Sequence, residues 1–296
     1  MQPLPVERPV IEVVNVGGRA TSGITFRAEG VTCVLGGWDR DKEELSRFLT
    51  LEEKPREGGV RFPFDDPRRH IRLIPRERID AELKVREVLR LYERRFGKGS
   101  EVWAEVLGID GEKKVGELSE MGKFRLELLQ LFYGDTRFVV AEDFVDTIEE
   151  QFRARALKDL LKAVKYVKAT LVVFMGTFRF QEVCERKVVL YGGKVLEVAE
   201  GGKLFHPYSV ALSKVRLDVG KRGEKVVVPY VGDPANYGCP FHPYCENRDR
   251  ELRRKCVSSL PPLFQVEGNQ VRCWLYQASN KGLGGAECGE CRPCPA

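Results

Sequence analysis

Phe138-Val139-Val140-Ala141 runs straight into Glu142-Asp143, and a second apolar run, Leu171 to Phe174, follows about thirty residues later. Between them Ile148, Phe152, Leu157, Leu160, Leu161 and Val164 recur at helical spacing, so a helix separates two strands. An uninterrupted apolar run of four residues suits a strand covered on both faces. Strand, helix, strand at this spacing is the crossover that joins parallel strands. The reading is an α/β fold with a parallel sheet. Asp146, with Glu149 three residues on, has the arrangement of a capping box and is expected to open the intervening helix.

Outward from this unit the pattern holds. A short polar helix is expected after Phe174, followed by Val188 to Tyr191 and Val195 to Val198, which the pair Gly192-Gly193 marks as a hairpin. Towards the N-terminus, Ser119 is a candidate N-cap for a helix from Glu120 to Tyr133 that Gly134 ends. Val102 to Leu107 and the series Val85, Val88, Leu89, Leu91, Tyr92, Phe96 also read as helices. The first 35 residues alternate as strands: Ile11, Val13 and Val14, then Ile24 and Phe26, then Val31 to Leu35 ending at Gly36-Gly37.

The 296 residues suffice for one large domain with a smaller appendage, and 43% hydrophobic content supplies a core. A net charge of +5, with 31% charged residues of both signs interspersed, is a mild basic excess that argues weakly for an anionic partner and more strongly for a solvated surface; nucleic acid is not expected as that partner. Abundant Lys, Arg and Glu also fits a protein from a hot environment. Neither a long apolar span nor a signal-like start is present, so a cytosolic protein is expected, one able to bind something in the membrane.

The C-terminal quarter carries a different chemistry. His206-Pro207-Tyr208 precedes Cys239-Pro240-Phe241-His242-Pro243-Tyr244-Cys245, then Cys256, then Val271-Arg272-Cys273-Trp274. Four thiols in a segment poor in apolar runs are read as one metal site that replaces a missing core. Their gaps match no zinc-finger template, and four ordinary buried or paired cysteines are the alternative. Cys33 and Cys184 are expected to be plain core thiols. Cys288, Cys291 and Cys294 resemble part of a ferredoxin ligand run without its fourth thiol.

This segment resembles the C-terminal extension of the ATP-binding subunits of oligopeptide and dipeptide ABC importers, with their His-Pro-Tyr motif, Cys-Pro-Phe run and spaced cysteines. The resemblance implies a four-iron, four-sulfur cluster, 4Fe-4S, held by Cys239, Cys245, Cys256 and Cys273; the sequence leaves zinc as the alternative. Residues 11 to 199 resemble the same subunits' ABC-type nucleotide-binding domain in the order of their parts. A phosphate-loop strand comes first, then a helical subdomain, a Leu118-Ser119 signature, a Walker B strand, a switch strand and a Tyr191-Gly192-Gly193-Lys194 hairpin. The organisation so implied is a nucleotide-binding domain over 1–200, with its helical subdomain at about 70–133, an extension over 201–280 and a Cys-rich tail over 281–296.

The departures concern the chemistry. A phosphate loop curls backbone N–H groups around phosphates, with a Lys and a hydroxyl residue behind them. The run here is Gly36-Gly37-Trp38-Asp39-Arg40-Asp41-Lys42-Glu43-Glu44. Gly36, Gly37 and Lys42 fit, but Asp39 and Asp41 replace inner glycines and Glu43-Glu44 replace the hydroxyls. Each such carboxylate repels a polyphosphate by about 1 kcal/mol even when screened. Glu142-Asp143 inverts the Walker B pair, Pro75 stands for the Q-loop glutamine, Met175-Gly176-Thr177 for the switch His, and Glu120-Met121-Gly122 for the end of the signature. Gly36, Gly37, Lys42, Ser119, Glu142 and Asp143 are thus the degenerate nucleotide positions; ATP is expected to bind weakly or not at all, and no catalytic residue is assigned.

The resemblance implies a pseudo-ATPase subunit of a heteromeric importer of oligopeptides or oligosaccharides at the cytoplasmic face of the membrane. It would pair with a second, active ABC ATPase subunit and receive one of two transmembrane permease subunits beside residues 70 to 100, a substrate-binding protein acting further upstream. Two other readings stand beside it: a free-standing iron-sulfur or redox-sensing protein on an ABC scaffold, and an active ATPase with unusual motifs.

Overall fold

The computed structural model describes residues 8–37, 39–75, 79–99, 102–142, 148–176, 180–214, 232–246 and 249–277. In chain order the first half contains β1 (Ile11–Gly17), β2 (Ile24–Ala28), β3 (Val31–Leu35), α1 (Asp39–Leu49), β4 (Glu57–Arg61), α2 (Pro67–His70), β5 (Ile71–Ile74), α3 (Val85–Phe96), α4 (Val102–Val106) and α5 (Glu120–Leu129). The second half contains β6 (Phe138–Ala141), α6 (Glu150–Val167), β7 (Thr170–Met175), β8 (Arg186–Tyr191), β9 (Lys194–Ala199), α7 (Pro207–Lys214), α8 (Arg250–Ser258), β10 (Phe264–Val266) and β11 (Asn269–Val271).

Two sheets organise these elements. A small antiparallel sheet has the order β2-β1-β4, and an eight-stranded sheet has the order β10-β11-β9-β8-β3-β7-β6-β5. Strands β5, β6, β7, β3 and β8 run parallel, and every residue of β3, β6 and β7 is buried, as a sheet covered on both faces requires. One face packs on α1 and the small sheet through Val34, Leu45, Phe48 and Phe138. The other packs on α5 and α6 through Leu128, Leu157, Leu160 and Val164. The helical subdomain keeps its own cluster of Val85, Val88, Leu89, Leu126 and Leu129.

The segment after β9 is joined to the sheet. Strands β10 and β11 form a hairpin whose second strand pairs with β9, so the Cys-bearing region extends the main sheet by two strands. Glu197 of β9 fastens the junction: its buried carboxylate accepts from the backbone N–H groups of Phe205 (2.9 Å) and His206 (3.0 Å) and from Asn269 Nδ2 (3.1 Å). A buried carboxylate is tolerated where its oxygens are met in this way.

Several local expectations hold: Gly192 and Gly193 turn the β8–β9 hairpin with φ of 58° and 71°, and the Ser119 hydroxyl caps α5 by accepting from Gly122 N at 3.1 Å. Others change. Helix α5 gives way at Gln130 to a 3₁₀ turn, Gln130–Phe132, before Gly134. Helix α6 starts at Glu150 with Glu149 as its N-cap, later than the capping-box reading placed it, and Asp146 lies outside the described residues. A 3₁₀ turn, Gln181–Val183, replaces the polar helix after β7. Cys33 and Cys184 are not plain thiols. The turn presents Cys184 to β3, and the two form a disulfide across the core with Cα atoms 5.6 Å apart. No described helix is long and apolar enough to cross a membrane.

Candidate functional site

The parallel register brings the carboxyl ends of four strands to one edge. Leu35 of β3 pairs with Met175 of β7, Val173 with Ala141 of β6, and Ala141 with Ile74 of β5. Gly36, Gly176, Glu142 and Pro75 follow these strands directly, at the edge where open α/β sheets bind ligands. Glu142 is half-buried, and its backbone N–H donates to Ile74 O at 2.8 Å. Asp143, Thr177, Cys288, Cys291 and Cys294 lie outside the described residues. Ser119 sits in the helical subdomain, at the start of α5.

The loop between β3 and α1 has the close packing of a phosphate loop. A Cβ on Gly36 would stand 2.4 Å from Leu190 O, so only glycine fits there. What fills the loop is protein. The backbone N–H of Gly37 donates to the Tyr208 hydroxyl at 2.9 Å. Asp41 is 0% exposed; its Oδ2 accepts from Gly193 N at 3.0 Å, while Oδ1 has no hydrogen-bond partner among the described residues. Burial pushes the Asp41 carboxyl up to about 6, against the opposing pull of the Gly193 N–H and Lys42. Lys42 is 2% exposed, and Glu43 faces solvent, where it pairs with Arg47.

Glu44 turns inward from α1 to the loop after β1. Its carboxylate accepts from three successive backbone N–H groups, Arg19 at 2.6 Å, Ala20 at 2.9 Å and Thr21 at 2.8 Å, and from the Thr21 hydroxyl at 2.7 Å. Consecutive N–H groups converging on an oxyanion form an anion nest, and here the anion belongs to the chain. Burial alone would raise the Glu44 carboxyl; the Thr21 hydroxyl and the three N–H groups outweigh it and hold it below its usual range.

The four thiols of the extension are gathered as well. Cys245, Cys256 and Cys273 line a cavity of about 20 Å³ with His242, Leu252, Arg253 and Leu275. Cys239 is joined to them by its backbone N–H, which donates to Cys256 O at 2.8 Å. All four are free of disulfides; Cys239 and Cys273 are buried, Cys245 and Cys256 partly exposed. Burial first, and then the neighbouring thiols, push Cys239 and Cys273 up to about 12. Among the described residues no group of three or more His, Cys, Asp or Glu stands at metal-holding geometry. Thiolates suit a soft metal by their chemistry, but the sulfurs as placed form no metal-holding group, and the cavity has room for about one atom.

Behind the thiols lies His206, buried and neutral, its ring pushed down to about 3 by burial, against the opposing pull of a hydrogen bond to the Arg272 backbone and with the Arg272 charge adding to the fall. Its Nδ1 accepts from Tyr208 N at 3.1 Å, and its Nε2 is 4.0 Å from Cys239 Sγ. Sequence reasoning quoted His206 and Tyr208 as a motif and gave them no task; it missed the Glu44 nest and the Glu197 junction entirely.

No family model and no curated sequence matches the chain. Solved structures do, at the level of the fold. They include cbiO1 from Clostridium perfringens, part of the ABC transporter complex cbiONQ (TM-score 0.57, 16% identity, covering 66% of this chain and 89% of that one). The dimeric bacterial ABC transporter cassette MJ0796 is similar (TM-score 0.54, 16% identity, 66% of this chain and all of that one). So is a bacterial Atm1-family ABC exporter with ATP bound (TM-score 0.54, 15% identity, 67% of this chain), of whose length this chain spans 39%. The fold is that of an ABC nucleotide-binding domain.

Proposed function

We propose that the chain is a catalytically degenerate ATP-binding-cassette subunit of a heteromeric ABC importer for oligopeptides or oligosaccharides. The observation that carries this reading is Glu44: its carboxylate takes the N–H groups of residues 19–21 beside the phosphate loop, and Tyr208 takes that of Gly37. A nucleotide would have to displace both and lie against the buried Asp41 carboxyl. Its work would be to pair with an active ATPase subunit at the cytoplasmic face and transmit closure to the permease. A groove of about 370 Å³ between α1, β5 and the end of α3, lined by Leu51, Arg68, Ile71, Leu73, Arg95 and Phe96, suits a permease helix. The gathered thiols support a metal centre on Cys239, Cys245, Cys256 and Cys273, a 4Fe-4S cluster with zinc as the alternative.

The test is reconstitution. Co-expressed with an active cassette and its two permeases, the chain is expected to co-purify in the complex, and removing Lys42 (Lys42→Ala) is expected to leave the complex's ATP turnover unchanged. A chain that stays out of the complex, or a turnover lost with Lys42, would overturn the reading.

A further inference from the structure

Helix α6 has a second contact face beside the one it turns to the sheet. Its residues Leu157, Lys158, Leu161, Lys162 and Lys165 recur three and four apart, and with Phe180 and Val183 after β7 they border an open groove of about 510 Å³. Leu157, Leu161, Phe180 and Val183 supply its apolar surface; Leu157 is buried and the other three are half-buried. The wall opposite the helix is fixed in place. Its 3₁₀ turn, Gln181–Val183, is followed at once by Cys184, which the disulfide to Cys33 ties to β3. The groove is therefore preformed, as recognition sites commonly are. It shares no lining residue with the groove between α1, β5 and α3.

Charge distinguishes this groove. Lys158, Lys162 and Lys165 stand along it, all exposed, and none has an ion-pair partner among the described residues. Against them the lining holds one carboxylate, Glu182, whose charge also acts on Lys187 of β8. Asp159, next to Lys158 on the helix, is taken by Arg125 of α5 at 3.0 Å. Three uncompensated ammonium groups beside an apolar strip are complementary to an occupant that carries carboxylates beside an apolar strip of its own. The groove is bounded by a helix and a turn, so an extended segment would find no strand edge to pair with, whereas a helix brings its own backbone hydrogen bonds. From Ala154 to Lys165 the lined stretch of α6 is about 17 Å long, the length of about three helical turns.

We propose that this groove is the docking site for an acidic amphipathic helix of a protein partner, its apolar face on Leu157, Leu161, Phe180 and Val183 and its carboxylates on Lys158, Lys162 and Lys165. The docking uses neither the phosphate loop nor the thiols, and so stands whether or not the chain binds nucleotide.

A fluorescent, helix-stabilised peptide of about three turns, with Leu at every third or fourth position and Glu on both flanks, tests it on the full chain; a counterpart carries Lys in place of Glu. The acidic peptide is expected to bind saturably and to move the methyl resonances of Leu157, Leu161 and Val183, its affinity falling about tenfold from about 50 to about 300 mM salt. Charge reversal at two exposed positions, Lys158→Glu with Lys162→Glu, should weaken binding at least about tenfold without moving the thermal unfolding midpoint, and Lys158→Arg with Lys162→Arg should keep it. No saturable binding of the acidic peptide, equal binding of its lysine counterpart, unchanged affinity in the reversed variant, or resonances moved elsewhere would each overturn the proposal. So would anionic vesicles that displace the peptide, which would give the lysines to lipid headgroups, or a wild-type dimer that the reversal dissociates, which would give the groove to a second copy of the chain.

Discussion

The carboxylate of Glu44 and the hydroxyl of Thr21 meet at 2.7 Å, and the same carboxylate oxygen also accepts from the Thr21 N–H at 2.8 Å. One residue of α1 thus fastens the loop after β1 to that helix. In this geometry Glu44 acts as a structural anion, and its removal should be felt as lost stability.

Glu44→Ala leaves three backbone N–H groups without their acceptor and is expected to cost about 3 kcal/mol, read from urea unfolding at pH 7. Because the native carboxyl is held below its ordinary value of 4.5, its stabilisation is present above that pH and is lost as pH falls through the lower native value. Wild type should therefore lose the difference from Glu44→Gln on acidification below pH 4.5. A difference that grows on acidification would contradict the assignment.

Asp41 behaves oppositely. Its native carboxyl titrates at about 6 against 3.8 for the free group, so the folded chain binds the extra proton and stability falls as pH rises from 3.8 to 6. The burial of the charge above pH 6 is worth ~3 kcal/mol against the fold. Asp41→Asn should be the more stable protein at pH 7.5, with the advantage vanishing below pH 4; pH-resolved thermal unfolding reads it.

The Cys33–Cys184 bridge closes a loop of 151 residues through the main core. Reducing it, or replacing both residues by Ser, is expected to lower stability by about 2–5 kcal/mol without changing the fold. Denaturant unfolding with and without reductant, on wild type and the double variant, measures this; a reductant effect that persists in the double variant would assign it elsewhere.

Anaerobically purified protein is expected to be brown and to hold about four irons if a cubane occupies the thiols. Each of Cys239, Cys245, Cys256 and Cys273 changed to Ser should lower the iron content, whereas changing Cys33 or Cys184 should leave it in place. A colourless protein with stoichiometric zinc would keep the site and exclude the cluster; a metal-free one with a Cys239–Cys245 disulfide would exclude both.

The parallel sheet was legible because Phe138–Ala141 and Leu171–Phe174, the latter inside β7, are buried on both faces and so read as unbroken apolar runs. Strand β4, Glu57–Arg61, was not: it sits on the edge of the small sheet, partly exposed and with two glycines. Strand β5 was hidden by Arg72, a buried guanidinium whose charge is met by Arg69 O, Ile71 O and Tyr133 O and by the Phe96 ring 3.9 Å away. The three-residue strands β10 and β11 are too short to show a period. At the site, the carboxylates of Asp41 and Glu44 after β3 were readable in the sequence. Their partners were not, because backbone N–H groups of Arg19, Ala20 and Gly193 carry no side-chain signature. The pairing of Cys33 with Cys184 likewise depends on contacts 151 residues apart.

The most direct measurement of the central claim is calorimetric titration of Mg-ATP into the purified full-length chain, with an active cassette measured alongside. The expected result is no saturable binding at nucleotide concentrations that saturate the active cassette, and no phosphate release above background. Stoichiometric binding that Lys42→Ala abolishes would show that Glu44, Asp41 and Tyr208 yield their places to nucleotide, and would contradict the account.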